Sequence, residues 1–249
     1  MLLNRIRRLI NTLKYLKLAQ AVCFVRRRGL GLSRVAAVTG GLEIPSPIGF
    51  KCPLTSNASL DEQQQHFEFL NVSQSFRLEA IDWSPQAMQR LWRYNLHYFD
   101  YLRSESVSGQ LKAQLLDSWI ANNPQGSEPA WEPYTASLRI VNWVIYFSTL
   151  PKESIKSTWV DSLFEQCRWL NANLELHILA NHYFENLKAQ IFAGVYFISH
   201  KEGAVWLTAS TGAMAHQLDE QFLADGGHYE RSPHYHAIMI QACLDLYNL

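Results

Sequence analysis

The chain has 249 residues, 48% of them hydrophobic, and its 22 basic and 22 acidic side chains cancel. That is enough apolar material for one large domain or two small ones, and the charge balance excludes a global nucleic-acid signature. Four scattered cysteines (Cys23, Cys52, Cys167, Cys243) with no CxxC pair exclude a disulfide framework or a zinc ribbon and read as buried free thiols.

Residues 1–28 read as a basic helix, rich in Arg5, Arg7, Arg8, Lys14, Lys17 and Arg26-Arg27-Arg28, that ends at Gly29-Leu30-Gly31. Its longest apolar run, Leu18 to Val25, ends in arginines rather than at a small-residue cleavage site, so it is no clear secretory signal. No segment reaches the ~20 apolar residues that a membrane span needs. A plain surface helix and a helix docked on a partner or membrane surface both fit the pattern. Residues 29–66 are loop-rich, broken by Gly40-Gly41, Pro45, Pro47 and Pro53, and Phe67–Val72 alternates weakly like a strand.

From Ile81 onward the pattern turns helical. Ser84-Pro85 predicts a helix start, a capping serine with proline at the first helical position. Further helices are predicted near 108–121, 135–150, 154–178, 182–199, 203–223 and 234–249, joined by short connectors such as Asn122-Asn123-Pro124, Pro151 and Asp225-Gly226-Gly227. Short loops force neighbouring helices antiparallel. The expected fold is therefore all-α, stacked helical hairpins over 81–249 behind an irregular arm, 1–80. No fixed-period repeat is present.

Three stretches carry chemistry. Asn181-His182-Tyr183-Phe184-Glu185-Asn186 places an amide and an imidazole at a helix start, with His182 and Glu185 three apart on one face. Asn181 as a helix cap and His182 as a core histidine are the plain alternatives. Asp225-Gly226-Gly227-His228-Tyr229-Glu230-Arg231-Ser232-Pro233-His234-Tyr235-His236 is a turn into a second helix start. Its histidines and Glu230 lack any standard zinc spacing. Arg231 and Tyr235 suit a carboxylate and a glycosidic oxygen, and Glu230 and His236 lie beside them. In the third stretch, Trp131–Trp143, we expect Trp143 and Ile140 in the core, and Trp131, Tyr134 and Arg139 on the wall of a cleft.

Together with Phe69-Leu70-Asn71, Ile81-Asp82-Trp83 and Leu91–Leu102, these blocks resemble the heparinase II/III family of polysaccharide lyases, which includes oligo-alginate lyases. The resemblance implies an incomplete α/α toroid, with the family's following β-sandwich domain absent. It implies β-elimination on an anionic, uronic-acid-containing polysaccharide of the heparin, heparan sulfate or alginate type, and a periplasmic setting. By motif, Asn181, His182 and Tyr235 match the family's catalytic positions, and Tyr235 follows Asn181 by 54 residues, close to the family separation. A further catalytic histidine and any structural metal belong to the β-sandwich, so no cofactor is expected here. Two other readings stand beside this one. An α/α-toroid glycoside hydrolase would use paired carboxylates among Asp225, Glu230 and Glu185. A glycan-binding or assembly protein would have no chemistry at all. The last helix, Ala237–Leu244, is apolar on more than one face, from which self-association is expected.

Overall fold

The computed structural model describes residues 11, 14, 16–38, 40–51 and 59–249. The first ten residues of the predicted basic N-terminal stretch, with Arg5, Arg7 and Arg8, lie outside these residues, as do Cys52 and Pro53. What is described of that helix, α1, is Leu18–Leu30. It starts after an extended Lys17 and stops at Gly31, whose φ of 71° lies in the left-handed region.

A small antiparallel sheet follows, of β1 (Leu60–Asp61), β2 (His66–Phe69) and β3 (Val72–Ser75). The strand expected over 67–72 is in fact a hairpin. Phe69 pairs with Val72, and Leu70 and Asn71 turn the chain with φ of 56° and 60°. Positive φ at both central residues is what a two-residue hairpin turn needs to match the strand twist. Phe67 and Phe69 are buried and pack into the same core as the helices.

Seven helices come next: α2 (Arg90–Tyr98), α3 (Gly109–Asn122), α4 (Pro133–Ser148), α5 (Ser157–Ala172), α6 (Ala180–Tyr196), α7 (Lys201–Gln221) and α8 (Pro233–Asn248). Ser84-Pro85 does not begin α2. The chain turns over 86–88, and the helix starts at Arg90 behind Gln89. The proline does fix a turn, but no serine cap bond forms there. At α8 the Ser232-Pro233 signal holds, whereas α6 starts behind Leu179 and not behind Asn181. Ser108 Oγ accepts from Leu111 N, Ser232 Oγ accepts from Tyr235 N, and Pro133 and Pro233 occupy first-turn positions.

Alternate helices touch: α2 packs on α4, α4 on α6, and α6 on α8, while α3 packs on α5. Such skipping defines two concentric rows, an inner one of α2, α4, α6 and α8 and an outer one of α3, α5 and α7. Burial agrees with that division. Thirteen of sixteen residues of α4 and twelve of seventeen of α6 are buried, with polar side chains among them. Four tryptophans are fully buried: Trp119 packs on Trp143 between α3 and α4, Trp169 of α5 packs on Trp131, and Trp92 of α2 packs on Phe69 of the sheet. The result is an all-α incomplete toroid, with the starts of α6 and α8 beside an open groove.

Candidate active site

The groove holds about 580 Å³ and runs between α4, α6 and α8. Tyr134 and Asn142 face it from α4, Glu185 and Lys188 from α6, and His234, Gln241 and Asp245 from α8. Its floor is ionic. The buried Lys188 ammonium lies 2.8 Å from Glu185 and 3.1 Å from Asp245, and Gln241 donates to Asp245 at 3.0 Å. Burial alone pushes Lys188 down, but the two carboxylates outweigh it and hold its pKa above the ordinary lysine range. Glu185 therefore neutralises Lys188, and Lys188 ties α6 to α8 through Asp245; the carboxylate on His182 is that of Glu175.

The turn leading into α6 is unusual. Leu179 (φ 63°, ψ −144°) and Ala180 (φ 50°) both have positive φ without being glycine. Such conformations cost on the order of 1–3 kcal/mol each and persist only where the surroundings fix them. Here the surroundings do so. The Glu175 carbonyl accepts from both Ile178 N and Leu179 N, and Gln221 Nε2 donates to the Ala180 carbonyl at 3.1 Å. The strained turn delivers Asn181 and His182 at the first residues of α6.

His182 is then held by a neighbour: its Nδ1 lies 3.2 Å from Glu175 Oε1, and its ring centroid is 4.5 Å from that of Tyr134. Tyr134 lines the groove, and burial raises its phenol well above the ordinary tyrosine range.

The second block meets the first through Gln221, which is buried at the end of α7. Its amide nitrogen reaches Ala180, its Oε1 is 3.2 Å from His228 Nε2, and its carbonyl accepts from Tyr229 N. His228 is buried, which lowers its pKa, and its backbone N–H donates to His236 Nδ1 at 3.3 Å. His236 is therefore a brace within the turn. Arg231 (φ 54°) and Glu230 are exposed. His234 lines the groove, whereas Tyr235, the next residue, is 36% exposed and, like Asn181 and His182, is not among the residues that line it; the Tyr235 hydroxyl has no partner among the described residues.

Two expected wall residues lie elsewhere. Arg139 is fully buried: its Nε donates to Gln166 Oε1 at 2.7 Å, its Nη1 donates to the Ala130 carbonyl at 2.8 Å, and its guanidinium stacks on Trp119. Burial drops its pKa to about 9. Trp131 is also core, with Nε1 donating to the Asn123 carbonyl. An arginine five residues past Tyr134 and eight past Trp131 gave no sign that it would point inward. Glu175, Gln221, Lys188, Asp245 and His234 were missed as site residues. Only His234 stood in a stretch already marked as chemical. Glu175 and Gln221 sit in ordinary-looking sequence, and only the fold brings them to the site.

The fold is an open helical toroid, with an imidazole on a carboxylate at the start of α6 and the Tyr134 phenol in its groove. The comparisons place it further. Residues 63–249 match the family described as Heparinase II/III N-terminus, and the chain belongs to that family. It is 22% identical over 200 residues to a heparin-sulfate lyase of Bacteroides stercoris, covering 76% of this chain and 28% of that protein. It is 28% identical over 148 residues to FtsZ-localized protein C of Caulobacter vibrioides (strain NA1000 / CB15N), covering 58% and 26%. Among solved structures, a heparinase III with methylated lysines matches 98% of this chain and 42% of its own, with TM-score 0.56 and 17% identity. Heparan sulfate lyase HepC from Pedobacter heparinus matches 98% and 41%, with TM-score 0.54 and 17% identity. The chain thus spans little more than a quarter of the curated relatives, and the structural likeness establishes the fold.

Proposed function

We propose that this chain is the helical part of a polysaccharide lyase, with residues 81–249 as its lyase domain, cleaving a uronic-acid-containing polysaccharide of the heparan sulfate or alginate kind by β-elimination. The observation that carries the reading is the pairing at the start of α6: His182 is held by Glu175 and lies against the ring of Tyr134, which lines the groove together with His234, the residue before Tyr235. The C5 proton of a uronate is weakly acidic, because the adjacent carboxylate is already negative. Asn181 and His182 donate to that carboxylate and stabilise the enolate-like charge that develops as the proton leaves. The C5–H electrons then form the C4–C5 double bond, and the C4–O4 bond breaks. Tyr235 gives its hydroxyl proton to the departing O4; the phenolate left behind takes the C5 proton where the epimer places it on the same face, and for the other epimer that proton goes to the histidine expected from the family's β-sandwich. The setting that goes with this chemistry is the periplasm.

A relative named for its localisation to FtsZ favours a second reading, an assembly or glycan-binding protein without chemistry. Product analysis separates the readings. The chain, supplied with the β-sandwich domain of a heparinase relative, is incubated with heparan sulfate and with alginate. Ultraviolet-absorbing unsaturated uronate is the expected product. Cleavage without absorbance would mean a hydrolase, and binding without cleavage would mean the second reading.

A further inference from the structure

We infer that Glu175 is a positioning residue for His182: it fixes Nδ1 as the protonated ring nitrogen, so that any proton moved by this imidazole is moved at Nε2. The inference rests on the lyase reading for its consequence, but the geometry stands without it. Glu175 is only 4% exposed, and no lysine or arginine is paired with it among the described residues. A buried carboxylate without a cation is costly unless every lone pair is used. Here both oxygens are used. Oε1 faces His182 Nδ1 at 3.2 Å, and Oε2 accepts from Asn186 Nδ2 at 3.2 Å.

The carboxylate is also prevented from turning away. Its own backbone N–H donates to Asn186 Oδ1 at 2.7 Å, so Asn186 grips Glu175 at two points. Asn186 is fully buried and bonds Ser137 Oγ on α4 at 3.0 Å. A continuous chain therefore runs from α4 through Asn186 and Glu175 to His182. The Glu175 carbonyl meanwhile closes the strained turn that presents the ring. One residue thus sets both the backbone position of His182 and the orientation of its imidazole.

An ionised carboxylate only accepts hydrogen bonds, so the nitrogen facing it must carry the proton. Nε2 has no protein partner among the described residues, and the side chain is 35% exposed. In the neutral ring Nε2 holds a lone pair, and in the charged ring it donates. Either way, the substrate meets Nε2. A carboxylate behind an imidazole that works through its other nitrogen is a common means of fixing tautomer and orientation.

The test reads the tautomer directly, in the full chain labelled with ¹⁵N-histidine, with the His182 signals assigned by their loss in His182→Gln. The neutral ring is expected to be chiefly the Nδ1–H form. Glu175→Gln, which offers either an acceptor or a donor, should raise the Nε2–H share, and Glu175→Asp should keep the parent tautomer. A parent ring that is chiefly Nε2–H would overturn the inference. So would an unchanged ratio in a folded Glu175→Gln chain. If Glu175→Gln does not fold, Glu175→Asp and the parent ring still decide. In the assembled enzyme, Glu175→Gln should lower kcat about tenfold or more with KM little changed, a part of the ~10²–10⁴-fold that an acid–base group supplies. A Glu175→Gln enzyme with parental kcat would also sink it. The tautomer needs no substrate, so a parent without lyase activity would refute the functional reading and leave this one to be judged by the ring alone.

Discussion

At the residue scale, the site shows how far side-chain chemistry can be read without a fold. Asn181, His182 and Tyr235 are proposed from polar, proton-handling groups at helix starts and from the family resemblance; the structure shows Asn181 and His182 in the first turn of α6 and Tyr235 in that of α8. Arg139 was not legible, since a guanidinium between Gln166, a carbonyl and Trp119 is a contact among three helices. His97 extends the lesson to pH. It is fully buried, with Trp119 Nε1 donating to its Nδ1 at 3.0 Å. Burial, with Arg139 close by, holds its pKa down at about 3, against 6.5 in the unfolded chain. Between those values the unfolded chain binds the proton and the folded one refuses it. Neutral His97 therefore supports the fold fully above pH 6.5, and the support is lost as pH falls toward 3, at up to about 1.4 kcal/mol per unit. Denaturant midpoints taken from about pH 7 to pH 4 should fall less steeply in His97→Gln than in the parent; parallel curves would contradict the assignment. In the site itself, Asn181→Ala should slow elimination by on the order of 10²-fold, as loss of a charge-stabilising donor does. An unslowed variant would remove Asn181 from the chemistry.

At the element scale, helix positions were largely legible, because hydrophobic periodicity and Pro-initiated starts are local signals. The α2 start was misplaced, since Ser-Pro opens a turn as readily as a helix. The hairpin at Leu70-Asn71 was hidden because leucine rarely adopts positive φ, so nothing marked the turn. Closeness between helices is equally invisible locally. At Gly194 on α6, a Cβ would meet Leu207 of α7 at 2.7–2.8 Å, backbone included. Gly194→Ala should therefore push α6 and α7 apart and cost about 1–3 kcal/mol. Gly212→Ala, on the same α7 with open space around it, should be neutral or stabilising by up to about 1 kcal/mol. Thermal or denaturant melts of the pair decide it; equal losses in both would show that the close approach is not limiting.

For the whole molecule, the toroid follows from alternate-helix packing, which no local pattern contains. The same arrangement leaves α8 packed on α6 with its other side outward. Ile240, Leu244 and Tyr247 are 41%, 48% and 81% exposed and fall on one stripe. We expect the chain to self-associate through this stripe. Sedimentation should show concentration-dependent dimers or larger species that Ile240→Glu with Leu244→Glu abolishes; a monomeric parent at all concentrations would contradict it.

The proposed site needs both inner helices at once: Asn181 and His182 are on α6, Tyr235 is on α8, and the Glu185–Lys188–Asp245 network holds the two helices together. The most direct measurement is release of unsaturated uronate by parent and Tyr235→Phe, each supplied with the family's β-sandwich domain. The substitution keeps the ring and removes only the proton-carrying hydroxyl. The parent should release the product, and Tyr235→Phe should bind the polysaccharide as well but release it ~10²–10⁴-fold more slowly. Release at the parental rate by Tyr235→Phe, or none by the parent, would contradict the proposed chemistry.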